Sequence, residues 1–274
     1  MFGGLASGVP IYGDDDRQDY FQTTPAIRKL ADSVVSLWTA SDLTPGPGGS
    51  SYRLNLLNYG EVNELCPGEA FSEQPTGGFC SGFLAGGDLI VTAGHCIENL
   101  TECADTRFVF GFKLKSAGES VVSVSASEVY SCAAIVGRSS DPDYAVIRLD
   151  RTVDGKKPLA ITGKTGVSKG DKVFAIGHPD GLPLKIAGGA VVRGSSQRGY
   201  FTTDLDAFEG NSGSPVFNYE TRRVEGVLVR GDRDFRRKGD CSAAVVLPQD
   251  GGRGEDVTRI SELSGYLPSP LEGK

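Results

Sequence analysis

Short β-rich runs, repeatedly broken by glycine, fill the chain from Ser33 to Arg230, and they confine it to folds built from many short strands joined by turns. Val34 to Trp38, Leu89 to Thr92, Tyr144 to Leu149, Lys172 to Gly177, Tyr200 to Thr203 and Val224 to Arg230 are such runs. Phe108, Phe110 and Phe112 alternate with period two, as do Val122 and Val124, the pattern of a strand with one face buried. Trp38 and the phenylalanine stripe are therefore expected in the core. Glycine fills 38 of 274 positions, about twice ordinary usage, which fits a fold with many turns. No apolar run reaches the roughly 18 residues that would span a bilayer.

Four regions follow from texture. Residues 1–30 read as an arm with a helix-compatible patch from Pro25 to Ala31, residues 31–150 as a first β body, 151–168 as a polar connector and 169–274 as a second β body. Val257, Ile260 and Leu263 have helical spacing and predict a helix over about 255–263. No internal repeat is evident in the sequence.

The formal charge of −7 disfavours a polyanion such as nucleic acid as the main partner. The six cysteines, at 66, 80, 96, 103, 132 and 241, contain no C-x-x-C pair, and only two histidines are present to complete a metal site. The set therefore reads as up to three disulfides formed in an oxidising compartment, with the chain secreted or periplasmic, and composition alone leaves the pairings open. The first ten residues lack the basic start and apolar run of a signal peptide, so either a leader has already been removed or the chain is not exported.

Any chemistry that needs imidazole must use His95 or His178. Three segments concentrate reactive types: Thr92-Ala93-Gly94-His95-Cys96, Asp143-Tyr144-Ala145-Val146 and Gly210-Asn211-Ser212-Gly213-Ser214-Pro215. Amide hydrolysis by a serine needs a base for the hydroxyl proton, a carboxylate to fix the base's tautomer, and donors for the oxyanion. His95, Asp143 and Ser212 supply the first parts. The oxyanion donors are expected from the turn Gly210, Asn211 and Ser212, through the backbone amides of Gly210 and Ser212. No histidine follows Ser212 and the last glycine of G-x-S-x-G is missing, which excludes an α/β-hydrolase; period-two strands argue against a subtilisin-like order.

Over roughly residues 30 to 265 the chain resembles the chymotrypsin-like serine peptidases, and within them the bacterial branch of V8-type glutamyl endopeptidases. The resemblance rests on T-A-G-H-C around His95, on D-Y-A-V beginning at Asp143, and on G-N-S-G-S-P around Ser212, in that order. It implies an all-β chain of two antiparallel Greek-key β-barrels with a short C-terminal helix. It also implies a triad of His95, Asp143 and Ser212, a protein or peptide substrate, no cofactor or metal, and a monomer. A Cys80–Cys96 disulfide beside the base is implied as well. Residues before about Ile11 are expected to be a pro-segment remnant.

Asp141 is the rival carboxylate, but it precedes a proline and reads as turn chemistry, so Asp143 is preferred. His178 is expected to be a structural loop residue, and Asp14 to Asp16 a solvated face. Asn211 stands where animal members of the family carry the aspartate that pairs with a new N-terminus, so that switch is absent. For specificity, Leu228 occupies the place where the glutamate-specific branch has a histidine, with Val229 and Arg230 beside it. Asp206, six residues before Ser212, is where trypsin-like members hold a pocket-base carboxylate, and it tilts the expected preference slightly toward Arg or Lys over acidic side chains. The basic stretch from Arg222 to Lys238 is expected to be a solvated loop face.

Overall fold

A computed structural model of the chain describes residues 10–163, 166–231 and 233–268. The expected pro-segment remnant before Ile11 lies almost wholly outside the described residues.

Six strands close the first barrel: β1 (Val34–Thr39), β2 (Cys80–Leu84), β3 (Leu89–Thr92), β4 (Thr106–Phe110), β5 (Val129–Ser140) and β6 (Asp143–Leu149). Their order around the ring is β1-β4-β5-β6-β3-β2, every pair antiparallel. Six more form the second: β7 (Lys172–Gly177), β8 (Lys185–Gly194), β9 (Tyr200–Thr203), β10 (Pro215–Asn218), β11 (Val224–Arg230) and β12 (Glu255–Arg259). The order here is β7-β10-β11-β12-β9-β8, closed by the β7–β8 pairing. Adding six to each strand number of the first ring reproduces the second. This is a chymotrypsin-like fold, and its two halves repeat a topology that the amino-acid sequence does not display.

The phenylalanine stripe splits on folding. Phe108 and Phe110 enter the main core, whereas Phe112, just past β4, joins Trp38 and Val109 under a three-stranded sheet outside the barrel. Alternation predicted one solvated face, but that outer sheet covers it, and Val109 is fully buried. Val122, outside the strand Ser123–Ser125, is exposed while Val124 is buried.

The predicted helix over 255–263 is a correction. Glu255–Arg259 is the strand β12, inserted between β9 and β11, and only Ile260–Leu263 turns as a 3-10 helix. Val257, Ile260 and Leu263 are all buried because an inward strand position is followed by one tight turn, which imitates helical spacing. Pro25–Ala31 is a helix, entered by Thr24 accepting from the amide of Ile27 and with proline in its first turn.

The arm before that helix lies on the second barrel. Ile11–Tyr12 pairs in parallel with Val246–Leu247, and Arg17–Asp19 extends the sheet beyond β8. Disulfides join Cys66 to Cys241, Cys80 to Cys96 and Cys103 to Cys132. Between the barrels, the stretch after Leu149 touches both: the Leu159 amide donates to Leu84 and the Thr162 amide to Val224.

Candidate active site

Asp143 is the first residue of β6, and β6 pairs with β3, so its carboxylate reaches the turn that follows Thr92. Asp143 Oδ2 lies 2.7 Å from His95 Nδ1, while Oδ1 accepts the amides of Gly94 at 2.6 Å and His95 at 3.2 Å. An ionised carboxylate only accepts, so Nδ1 must carry the proton and Nε2 keeps its lone pair. The imidazole side chain is 44% exposed and the carboxylate 10%, which leaves the ring open to a substrate and its partner sheltered. Thr258 Oγ1, on β12, donates to the Asp143 carbonyl at 2.7 Å and ties this corner to the second barrel. Asp141 is exposed at the preceding turn.

The turn carrying Ser212 links β9 to β10, the connection equivalent to the one carrying His95 between β3 and β4. Every carbonyl from 209 to 212 has a donor. Glu209 receives the Asp180 amide, Gly210 the Ser81 hydroxyl at 2.8 Å, Asn211 the Ser214 amide at 2.9 Å, and Ser212 the Ser81 amide at 2.8 Å. In a trans peptide the N–H points opposite to the C=O, so the amides of Gly210 and Ser212 are turned away from those donors. Neither has an acceptor among the described residues. Gly210 adopts φ +83°, and a Cβ there would stand 2.7 Å from the His178 carbonyl, so the turn requires glycine. Asn211 must be corrected as an oxyanion donor: its amide donates to the Phe208 carbonyl at 3.0 Å and its Oδ1 accepts from Ser214.

His95, Asp143 and Ser212 line one cleft of about 290 Å³, with Phe208, Glu209, Asn211 and the strand end Leu228 to Gly231. Arg230 brings a cation to this cleft, its Nε bound to Asp256 at 2.9 Å. Phe208 and Glu209 were not anticipated; their position just before the G-N-S-G motif was the available signal.

Asp206 must be corrected as a pocket residue. It does not line the cleft; its carboxylate accepts the arm's Tyr12 amide at 2.7 Å and Asp16 amide at 2.9 Å. Burial pushes its pKa up to about 7, partly opposed by those two bonds. Spacing from Ser212 placed Asp206 near the pocket but carried no information about a segment arriving from far upstream. Arg17 seals the same place, bonded to Asp15 through Nε and Nη2 and stacked 4.1 Å above the Phe208 ring.

His178 is fully buried, stacked on Phe112, with Nδ1 3.0 Å from the Leu182 carbonyl, and desolvation lowers its pKa to about 3. It is a neutral structural group. The basic stretch is not one face: Arg222 stacks on Tyr219, Arg223 donates to the Ile161 carbonyl, and Arg237 pairs with Glu64. Among the described residues, one His, Cys, Asp or Glu cluster has metal-site proximity: His95 with Cys80 and Cys96. Both sulfurs are already bonded to each other, so they offer no thiolate.

Residues 80–227 match the family model of the trypsin-like peptidase domain. Two curated relatives are similar over part of the chain. The secreted RxLR effector protein 73 of Plasmopara viticola is 26% identical over 159 residues, 53% of this chain and 40% of that protein. The chloroplastic protease Do-like 1 of Arabidopsis thaliana is 30% identical over 96 residues, 31% of this chain and 22% of that protein. The chain thus spans less than half the length of each. Among solved structures, a Glu endopeptidase in complex with MPD superposes with a TM-score of 0.55 at 17% identity, covering 93% of this chain and 98% of that one. A serine endoprotease from Yersinia pestis gives 0.54 at 14% identity, covering 90% and 65%. The active form of the Rv3671c protease from M. tuberculosis gives 0.52 at 15% identity, covering 99% and 96%.

Proposed function

The chain belongs to the trypsin-like peptidase family, and from that premise we propose that it is an exported serine endopeptidase acting through Ser212, His95 and Asp143. The carrying observation is the 2.7 Å contact between His95 and Asp143 at a cleft that Ser212 also lines. His95 Nε2 takes the Ser212 hydroxyl proton as Oγ attacks the peptide carbonyl, and Asp143 stabilises the imidazolium that forms. The oxyanion is received by the unsatisfied amides of Gly210 and Ser212. Nε2 then protonates the departing amine, and water, activated by the same nitrogen, releases the acyl group from Ser212. Three disulfides support an oxidising compartment, and no helix among the described residues is long and apolar enough to cross a membrane. We take the working form to be a monomer on peptide or protein substrates.

Selection of Lys or Arg through Asp206 loses its anchor once the arm occupies that carboxylate. Arg230, at the cleft beside Leu228 and Val229, is the group in position to meet the side chain on the acyl side of the cut bond, P1. Acidic P1 residues are therefore favoured over basic ones, by only about tenfold because Asp256 already pairs with Arg230 and exposed Glu209 carries the opposite charge in the same cleft. Digestion of a peptide library by the wild type and by Ser212→Ala tests both statements. The variant is expected to lose about four to six orders of magnitude in kcat while keeping its fold. Retained turnover would remove Ser212 from the mechanism, and a cut pattern dominated by Lys and Arg would overturn the role given to Arg230.

A further inference from the structure

Ser81 belongs to β2 of the first barrel, carries no charge and is fully buried, yet it touches the nucleophile turn of the second barrel at two points. Its amide donates to the Ser212 carbonyl at 2.8 Å, and its hydroxyl donates to the Gly210 carbonyl at 2.8 Å. The same hydroxyl oxygen accepts the His178 amide at 2.8 Å, which leaves its single proton directed at Gly210. Below, the Ser81 carbonyl accepts the Thr92 hydroxyl at 2.7 Å, three residues before His95. The approach is close: a Cβ on Gly213, whose φ is +93°, would stand 2.0 Å from the Ser81 carbonyl oxygen.

We propose that the Ser81 hydroxyl is a positioning residue that sets the oxyanion-binding turn from the opposite barrel. The proposal rests on the peptidase reading above. Its physical core is that the peptide joining Gly210 to Asn211 lies between the two oxyanion amides. Flanked by a glycine, that peptide rotates easily unless its carbonyl is held. The Asn211 amide on its other side is held only by the Phe208 carbonyl. Without the hydroxyl, the Gly210 carbonyl and the His178 amide both lose a buried partner, and rotation of the 210–211 peptide is the motion that lets them find others. That rotation moves the amides of Gly210 and Ser212 relative to each other, and a displacement of about 1 Å at such donors is worth up to about a hundredfold in rate. Ser81 is fully buried and does not line the cleft, so its loss is expected to leave substrate binding in the ground state unchanged.

Kinetics normalised to active sites, on Ser81→Ala and Ser81→Thr, test this. In Ser81→Ala, kcat is expected to fall about 10- to 100-fold with KM within about twofold. The affinity for a peptide aldehyde, which forms an oxyanion-like adduct on Ser212, falls in parallel, and Ser81→Thr recovers most of the loss. A residue that serves packing alone would lower Tm and leave kcat per active site and aldehyde affinity unchanged, and that result overturns the proposal. If the alanine variant does not fold, Ser81→Cys, similar in size but a poor donor, is expected to show the same kcat loss, and a wild-type kcat in it is equally fatal. A wild type that neither cleaves peptides nor is labelled at Ser212 by a serine-directed phosphonate would overturn the peptidase reading itself, and Ser81 with it. An active wild type alongside an equally active Ser81→Ala would overturn the role of Ser81 alone.

Discussion

The first barrel carries two cystines among its own strands and connections, Cys80–Cys96 and Cys103–Cys132, while the second, of the same strand order, carries none. In their place the second barrel takes the arm, through the Asp206 bonds to Tyr12 and Asp16 and a buried Lys185–Asp19 ion pair at 2.6 Å. It also buries titratable groups whose pKa values are displaced by desolvation, His178 down to about 3, Asp206 up to about 7 and Asp180 upward as well. Cys66–Cys241 ties connections of the two barrels together. One topology can thus be secured by covalent bonds that limit the unfolded chain or by non-covalent docking of a distant segment, and the two respond to different conditions. The proposed chemistry is divided as well: His95 and Asp143, proposed as base and orienting carboxylate, come from the cross-linked barrel, and the turn of Ser212, the proposed nucleophile, from the docked one.

After loss of Ser212 itself, breaking the first barrel's contribution to the site should have the largest consequence. Asp143→Asn is expected to lower kcat about 10⁴-fold with the fold retained, because an amide does not hold His95 in the tautomer with Nε2 free; steady-state kinetics with circular dichroism check it. Next comes the cross-link beside the base. Replacing Cys80 and Cys96 together by serine is expected to cost about 3 kcal/mol of stability, as the chain-entropy account gives for a loop of this length. Denaturant titration followed by Trp38, the single tryptophan and a first-barrel residue, reads that loss directly. An unchanged midpoint would mean that the first barrel does not depend on its cystine, and the contrast between the barrels would fail there.

The smallest effect sharpens the contrast from the other side. Asp206 holds its proton up to about pH 7 when folded, against an ordinary value of 3.8. Between about pH 4 and 7 the folded chain therefore binds a proton that the unfolded chain has released, so this group's contribution to stability falls as pH rises through that window. Calorimetry should show the Tm of Asp206→Asn gaining on the wild type from about pH 4 to 7, with a flat difference above. A difference flat across the whole window would mean that the arm's two amides hold the carboxylate ionised, outweighing its burial.

Much of this molecule is legible in local pattern. The strands from Val34 to Trp38, Leu89 to Thr92 and Val224 to Arg230 follow from β-branched and aromatic runs between glycines, and the structure places strands there. His95, Asp143 and Ser212 were singled out by residue type and order, and they line one cleft. What failed to show were features made by remote partners. The arm strand Arg17–Asp19 and the hairpin strand Phe235–Lys238 lie in charged, polar sequence with little periodicity, and pairing alone makes them strands. The segment from Glu255 to Leu263 misled because burial of a strand followed by a single turn copies helical spacing.

The amino-acid sequence by itself determined the strand-rich class, the reading of six cysteines as disulfides and the choice of His95, Asp143 and Ser212 as the proposed reactive side chains, since each depends on residue type and on neighbours a few positions away. Only the tertiary structure decided which cysteines pair, that Asp206 serves the arm and not the pocket, and that Ser81 reaches across to the turn of Ser212. The reason is physical: a buried polar group must find a partner, and which partner arrives is set by how distant segments pack, about which local pattern is silent.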